Sequence, residues 1–135
     1  MQNALTGKRI LITQATEFMG PSLCTVFAEQ GADVVQSHAD LSAAGAAEEV
    51  IQSAGAFDVL VANLSILAPS TPANDVGEEE WRSVFAALVD PLPRLTRAVL
   101  PMFASRGGGK ILVVGSASAL RGMKRASTYS AARGA

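Results

Sequence analysis

The chain is short of the groups that build covalent or metal scaffolds, with one cysteine, Cys24, and one histidine, His38, in 135 residues. A single thiol cannot close an internal disulfide, and a single imidazole with no partner histidine or cysteine offers no metal-ligand set. Cys24 sits among Leu23, Val26 and Phe27 at helical spacing, which suits a packed thiol, and His38 falls at a turn. Excess charge of either sign is also missing: 11 Lys and Arg stand against 12 Asp and Glu. That balance excludes the basic footprint of a nucleic-acid binder, and the one local cluster, Arg121 to Arg125, reads as a solvated loop. No apolar run approaches the roughly 20 residues of a bilayer span, and the first residues lack the apolar stretch of a leader peptide. The expectation is a cytoplasmic protein with neither a membrane nor a nucleic-acid partner.

What is present is a globular composition, 49% hydrophobic and 17% charged, which suits one soluble domain over residues 1–135. Lys8 to Thr13, Ala32 to Gln36, Phe57 to Asn63 and Lys110 to Gly115 read as strands, the first of the kind buried in parallel sheets. Ser37 to Ser42 is a turn or a very short third strand. Helical periodicity covers Gly20 to Gly31, with Pro21 in the first turn and Gly31 as the stop, and Ser42 to Ala54, closed by Gly55. From Glu78 to Met102 a helix carries three solvated glutamates at its positive dipole end. Trp81, Val84, Phe85 and Leu88 form its apolar face, and Asp90 to Pro93 breaks it before Leu95. Leu64 to Gly77 is the longest irregular segment and the candidate binding loop.

Strands alternating with helices imply an α/β fold: a Rossmann-like, doubly wound parallel sheet in three αβα layers with right-handed crossovers. Counting Ser37 to Ser42 as a third strand, the expected spatial order is second, first, fourth, fifth. Only six residues follow Tyr129, so the sheet is expected to be truncated after the fifth strand. The chain then reads as the N-terminal part of a fold whose C-terminal strands and helices are missing.

Open sheets of this kind bind ligands just outside the carboxyl ends of their strands. Ser116 follows the strand Lys110 to Gly115. Ser127 is a plausible N-cap for a helix on which Tyr129 and Arg133 stand at i and i+4, neighbours on one face. A hydroxyl, a phenol and a permanent cation thus converge, and a cation beside a phenol favours its ionised form.

Ser116 with Tyr129 thirteen residues later resembles the short-chain dehydrogenase/reductase superfamily. The resemblance extends to Asp58 to Asn63, Arg97 to Pro101 and Lys110 to Ser116, and so over the whole chain. Two departures set a narrower expectation. Where those enzymes have Thr-Gly-x-x-x-Gly-x-Gly to let a dinucleotide pyrophosphate approach the backbone, this chain has Thr13-Gln-Ala-Thr-Glu-Phe-Met-Gly20. Gln14 and Phe18 replace two glycines, Glu17 adds negative charge, and no acidic residue ends the second strand. The second departure is Arg133, a planar fork where the dehydrogenases have lysine.

Together these resemble the halohydrin (haloalcohol) dehalogenases, cofactor-free relatives of the dehydrogenases. That resemblance implies a carbon–halide lyase that needs no cofactor and no metal. Tyr129 would take the hydroxyl proton of a vicinal haloalcohol, Ser116 would orient the same oxygen, and Arg133 would assist the phenol. Ring closure gives an epoxide and halide, and in reverse small anions open epoxides. Phe18 and Gly20 at the helix N-terminus are then the halide side of the pocket, and Leu67, Pro69 and Ser118 its substrate walls. The partners implied are the haloalcohol or epoxide, halide or other small anions, and three further copies in a homotetramer. The alternatives are an NAD(P)-dependent short-chain dehydrogenase/reductase with a degenerate cofactor loop, or a non-catalytic member.

Overall fold

The computed structural model describes residues 3–135 and holds a parallel sheet in the order β2-β1-β3-β4. The strands are β1 (Arg9–Ile12), β2 (Asp33–Gln36), β3 (Val59–Ala62) and β4 (Lys110–Val113). The expected neighbours are all met, and Ser37 to Ser42 forms no strand, so β3 and β4 are the strands counted above as fourth and fifth. The helices are α1 (Gly20–Glu29), α2 (Ala46–Ala54), α3 (Glu78–Leu88), α4 (Pro91–Ser105), α5 (Ser118–Arg121) and α6 (Ser127–Gly134). None is long and apolar enough to cross a membrane.

Alternation along the strands divides the core into two layers. Ile10, Ile12 and Val61 face α1, where Leu23, Cys24 and Phe27 pack on them. Leu11, Leu60 and Ala62 face the other way, onto Val50 and Ile51 of α2, Val84 and Leu88 of α3, and Leu95, Val99 and Phe103 of α4. Phe57 is fully buried against the edge of the Phe103 ring, with centroids 5.7 Å apart. On this second face α6 adds Tyr129 and Ala132. The α/β class is the Rossmann-like one expected.

Several boundaries differ from the sequence reading. The break before α4 is confined to Val89 and Asp90, and the helix starts at Pro91 rather than Leu95. Prolines in a first turn remove N–H groups that have no helical partner, so Pro91 and Pro93 open the helix instead of interrupting it. α2 begins at Ala46 because Gly45 takes a left-handed φ of +86°. Trp81 is 44% exposed and stacks on Phe85, so only Val84 and Leu88 of that face are fully buried. α5 was not foreseen; it is a single turn.

Candidate active site

Beyond Val113 the chain passes over Ser116 into α5. Ser118, the first residue of that turn, is buried, and both its N–H (3.2 Å) and its Oγ (2.8 Å) reach the Ser116 Oγ. Ser118, expected as a substrate wall, is thus hydrogen-bonded to Ser116 and nearly closed to solvent.

α6 is an eight-residue helix, too short to be stable on its own, and tertiary ties hold it. Thr71 N–H donates to Arg125 O at 2.8 Å, the Arg125 guanidinium reaches Ser70, and Thr71 bridges to Ala126. Thr128, fully buried, donates to Glu80 Oε1 at 2.6 Å. The irregular segment and α3 thus fasten the start of α6. These ties place the cap at Ala126, with Ser127 the first helical residue and no side-chain cap, which corrects the N-cap expected at Ser127. Glu80 is correspondingly not a merely solvated charge, and its bonds to Thr128 and Thr71 hold its carboxyl below the usual range.

Tyr129 is 7% exposed, and its phenol oxygen accepts from Arg133 Nε at 3.0 Å. Arg133 Nη1 donates to Val114 O at 3.3 Å, two residues before Ser116, and Nη2 is buried without a partner among the described residues. The guanidinium carbon lies 5.1 Å from the Tyr129 ring centroid and 5.2 Å from that of Phe18. Phe18 from the loop after β1, Arg133 from α6 and the end of β4 therefore meet. Among the described residues no hydrogen bond joins Tyr129 to Ser116; both flank the end of β4.

The loop between β1 and α1 holds Gln14 at φ +44° and Phe18 at φ +49°, the left-handed region that favours glycine. Gly20 opens α1 where a Cβ would overlap the Ala15 carbonyl. Asn63, fully buried after β3, pins the loop: its Nδ2 donates to Gln14 O at 3.0 Å and Glu17 O at 2.9 Å. Its backbone N–H also bonds Thr13 Oγ1 at 3.1 Å. The sequence reading took Asn63 only as the end of a strand; an amide closing a buried apolar run was the available signal. Gln14 Nε2 donates to Ser65 O at 3.2 Å.

Beside this loop lies a cavity of about 390 Å³ lined by Gln14, Glu17, His38, Asp40, Ser65 and Leu67 among others. Bonding to Ser42 N–H at 2.9 Å lowers the Asp40 carboxyl from its ordinary range. Leu67 is 96% exposed on the rim of this cavity, and Pro69 is half-buried in the same segment. Among the described residues no cluster of acidic, histidine and cysteine side chains could hold a metal ion.

A family model described as short chain dehydrogenase matches residues 38–135. The chain is 29% identical to dehydrogenase/reductase SDR family member 4 of Bos taurus, over 87% of this chain and 52% of that protein. It is 33% identical to an uncharacterized oxidoreductase of Schizosaccharomyces pombe, over 82% of this chain and 50% of that one. The chain thus spans about half the length of these curated relatives. Among solved structures it superposes on a 3-ketoacyl-(acyl-carrier-protein) reductase of Brucella melitensis complexed with NADH, with TM-score 0.87, 26% identity and coverage of 97% and 66%. It also superposes on a protein described as a dehalogenation enzyme, with TM-score 0.84, 26% identity and coverage of 96% and 62%.

The relatives named as dehydrogenases, reductases and oxidoreductases overturn the expected carbon–halide lyase. That expectation took the side chains at 14 and 18 as loss of the cofactor loop, whereas the backbone there keeps the positive φ that glycines serve. By its matched residues and its fold, this chain belongs to the short chain dehydrogenase family.

Proposed function

We propose that this chain carries the nucleotide-binding fold and the proton-handling group of an oxidoreductase that interconverts an alcohol and a carbonyl compound with a nicotinamide dinucleotide. The observation that carries the reading is the Tyr129–Arg133 pair, hydrogen-bonded at 3.0 Å and tied to the end of β4 two residues before Ser116.

The residues present fit such a cofactor along the loop. Gln14 and Phe18 hold left-handed φ, Gly20 keeps its close approach to Ala15, and the cavity of about 390 Å³ opens beside them. Pro21 has no N–H, and the Gly20 and Leu23 N–H groups bond Glu17 O and Met19 O, so the N-terminus of α1 would offer phosphate oxygens chiefly its positive dipole end. Ser65 and Asp40 would face the adenosine side, and Phe18, 49% exposed, would border the reactive end. The Brucella reductase, complexed with NADH, supports the same group here.

When bound, the nicotinamide supplies or accepts a hydride at the substrate carbon. The chain's own residues handle the oxygen. Tyr129 gives a proton to the carbonyl oxygen during reduction and takes it back from the alcohol during oxidation. Ser116 holds that oxygen by a hydrogen bond and so fixes its distance from the phenol. Arg133 keeps the phenol oriented through Nε and places a permanent charge beside an oxygen on which negative charge develops. Burial of Tyr129 at 7% exposure keeps bulk water from competing for the proton.

The test is oxidation of NADH and NADPH in the presence of small ketones, followed by nicotinamide absorbance, for the wild type and Tyr129→Phe. Loss of the phenol proton is expected to slow turnover by about 10²- to 10⁴-fold. A folded wild type that oxidises neither dinucleotide, or a Tyr129→Phe variant at full rate, refutes the reading.

A further inference from the structure

We propose that Ser118 is a positioning residue that sets the polarity of the Ser116 hydroxyl, so that Ser116 offers its proton to a carbonyl oxygen. For its ligand this rests on the oxidoreductase reading above. A serine hydroxyl has one proton to donate and two lone pairs with which to accept. At Ser116 one neighbour approaches the oxygen twice: the Ser118 N–H at 3.2 Å can only donate, and the Ser118 Oγ at 2.8 Å can donate or accept. Ser118 is the first residue of α5, where a backbone N–H has no partner within the helix, so that donor is free to serve Ser116. The residue is 6% exposed, which leaves little access for competing water.

The chemistry of the incoming group then decides the direction of the chain of hydrogen bonds. A carbonyl oxygen has no proton to give. With one docked at Ser116, all three oxygens are satisfied in a single order: Ser118 donates to Ser116, and Ser116 donates to the carbonyl. Successive O–H donors polarise one another, so the bond to the substrate oxygen strengthens as negative charge builds on it. Ser118 touches no substrate and acts through Ser116.

The test is a double-mutant cycle on cyclohexanone binding, followed by amide NMR titration of the wild type, Ser116→Ala, Ser118→Ala and the double variant. Losing one neutral hydrogen bond in the chain is expected to weaken binding by about 3- to 10-fold in Ser118→Ala. The double variant is expected to bind no more weakly than Ser116→Ala alone, because Ser118 has nothing to act through once Ser116 is gone. Ser118→Thr, which keeps the hydroxyl, is expected to recover wild-type affinity. A merely structural role predicts additive losses and no recovery.

Wild-type affinity in Ser118→Ala, additive losses, or no binding by the wild type overturns the assignment. If the cycle is non-additive but the wild type oxidises neither NADH nor NADPH with a ketone, the oxidoreductase reading falls and the Ser118 assignment stands. If turnover is found and the cycle is additive, the reverse holds.

Discussion

Replacing Asn63 with alanine is expected to loosen the loop between β1 and α1 and to lower stability by about 1.5–2 kcal/mol. The side chain is fully buried, and its amide nitrogen donates to Gln14 O at 3.0 Å and Glu17 O at 2.9 Å. Alanine leaves both carbonyls without that donor. Gln14 O keeps the Glu17 N–H at 2.9 Å, so losing the Asn63 amide costs about 0.5–1 kcal/mol there. Glu17 is exposed, its carbonyl regains water, and about 0.5 kcal/mol is lost there. The vacated amide leaves a small void worth on the order of 0.5 kcal/mol. The backbone bond from Asn63 N–H to Thr13 Oγ1 is untouched, so the sheet should keep its pairing.

Urea unfolding gives the stability change, with a constant m-value showing that both folded states bury the same surface. Amide exchange over residues 14–20 reports where the loss falls. Asn63→Asp sharpens the test, because a carboxylate facing two carbonyls can donate only when protonated. Its folded-state pKa must then lie above the unfolded one, so this variant regains stability as the pH falls through the carboxylate range. A change below about 0.5 kcal/mol in Asn63→Ala, with unaltered exchange at 14–20, refutes the role given to Asn63.

Gly20→Ala should unfold the chain or displace the start of α1, since its Cβ meets backbone rather than a flexible side chain; a wild-type melting temperature would contradict this. Phe18→Gly removes the ring over Arg133 and relieves the φ of +49°, so stability should change little while NADH binds more tightly in isothermal titration. Equal affinity would show that the ring does not obstruct the reactive end. Acid should detach α6 only below the ordinary glutamate value of 4.5, because the bonds of Glu80 to Thr128 and Thr71 lower its pKa. A depressed folded-state pKa means stability that is present above the unfolded value and lost as the pH falls through the folded one. Glu80→Gln should flatten that acid-side slope in pH-dependent urea melts, and an unchanged slope would count against the tie.

Much of the architecture was legible because hydrophobic period and β-branched runs report burial directly. Ile10, Leu11 and Ile12 were readable as a buried strand, and the neighbours of β1 followed from the alternation of strands and helices. Boundaries were less so: Pro91 reads as a breaker in isolation and becomes a helix start only where the preceding turn supplies the geometry. At the site, the spacing of Tyr129 and Arg133 foretold their hydrogen bond because i and i+4 on a helix are neighbours whatever surrounds them. Asn63 and Glu80 escaped notice because their partners lie 46 to 49 residues away in the chain. The substitutions at 14 and 18 misled for a related reason. Side-chain identity suggested a lost cofactor loop, while the loop's backbone is held by Asn63 just beyond β3.

By itself the amino-acid sequence determined what local chemistry determines: a parallel α/β sheet, a strand ending at Ser116, and a phenol and a guanidinium on one helix face. Only the tertiary structure decided how the parts bear on one another. It fastened an eight-residue helix through Thr128 and Thr71, brought Phe18 and Arg133 together, and set Ser118 in hydrogen-bond contact with Ser116. Periodicity and spacing act within a few residues and survive in any context. Hydrogen bonds between distant segments exist only once the sheet has brought their backbones together.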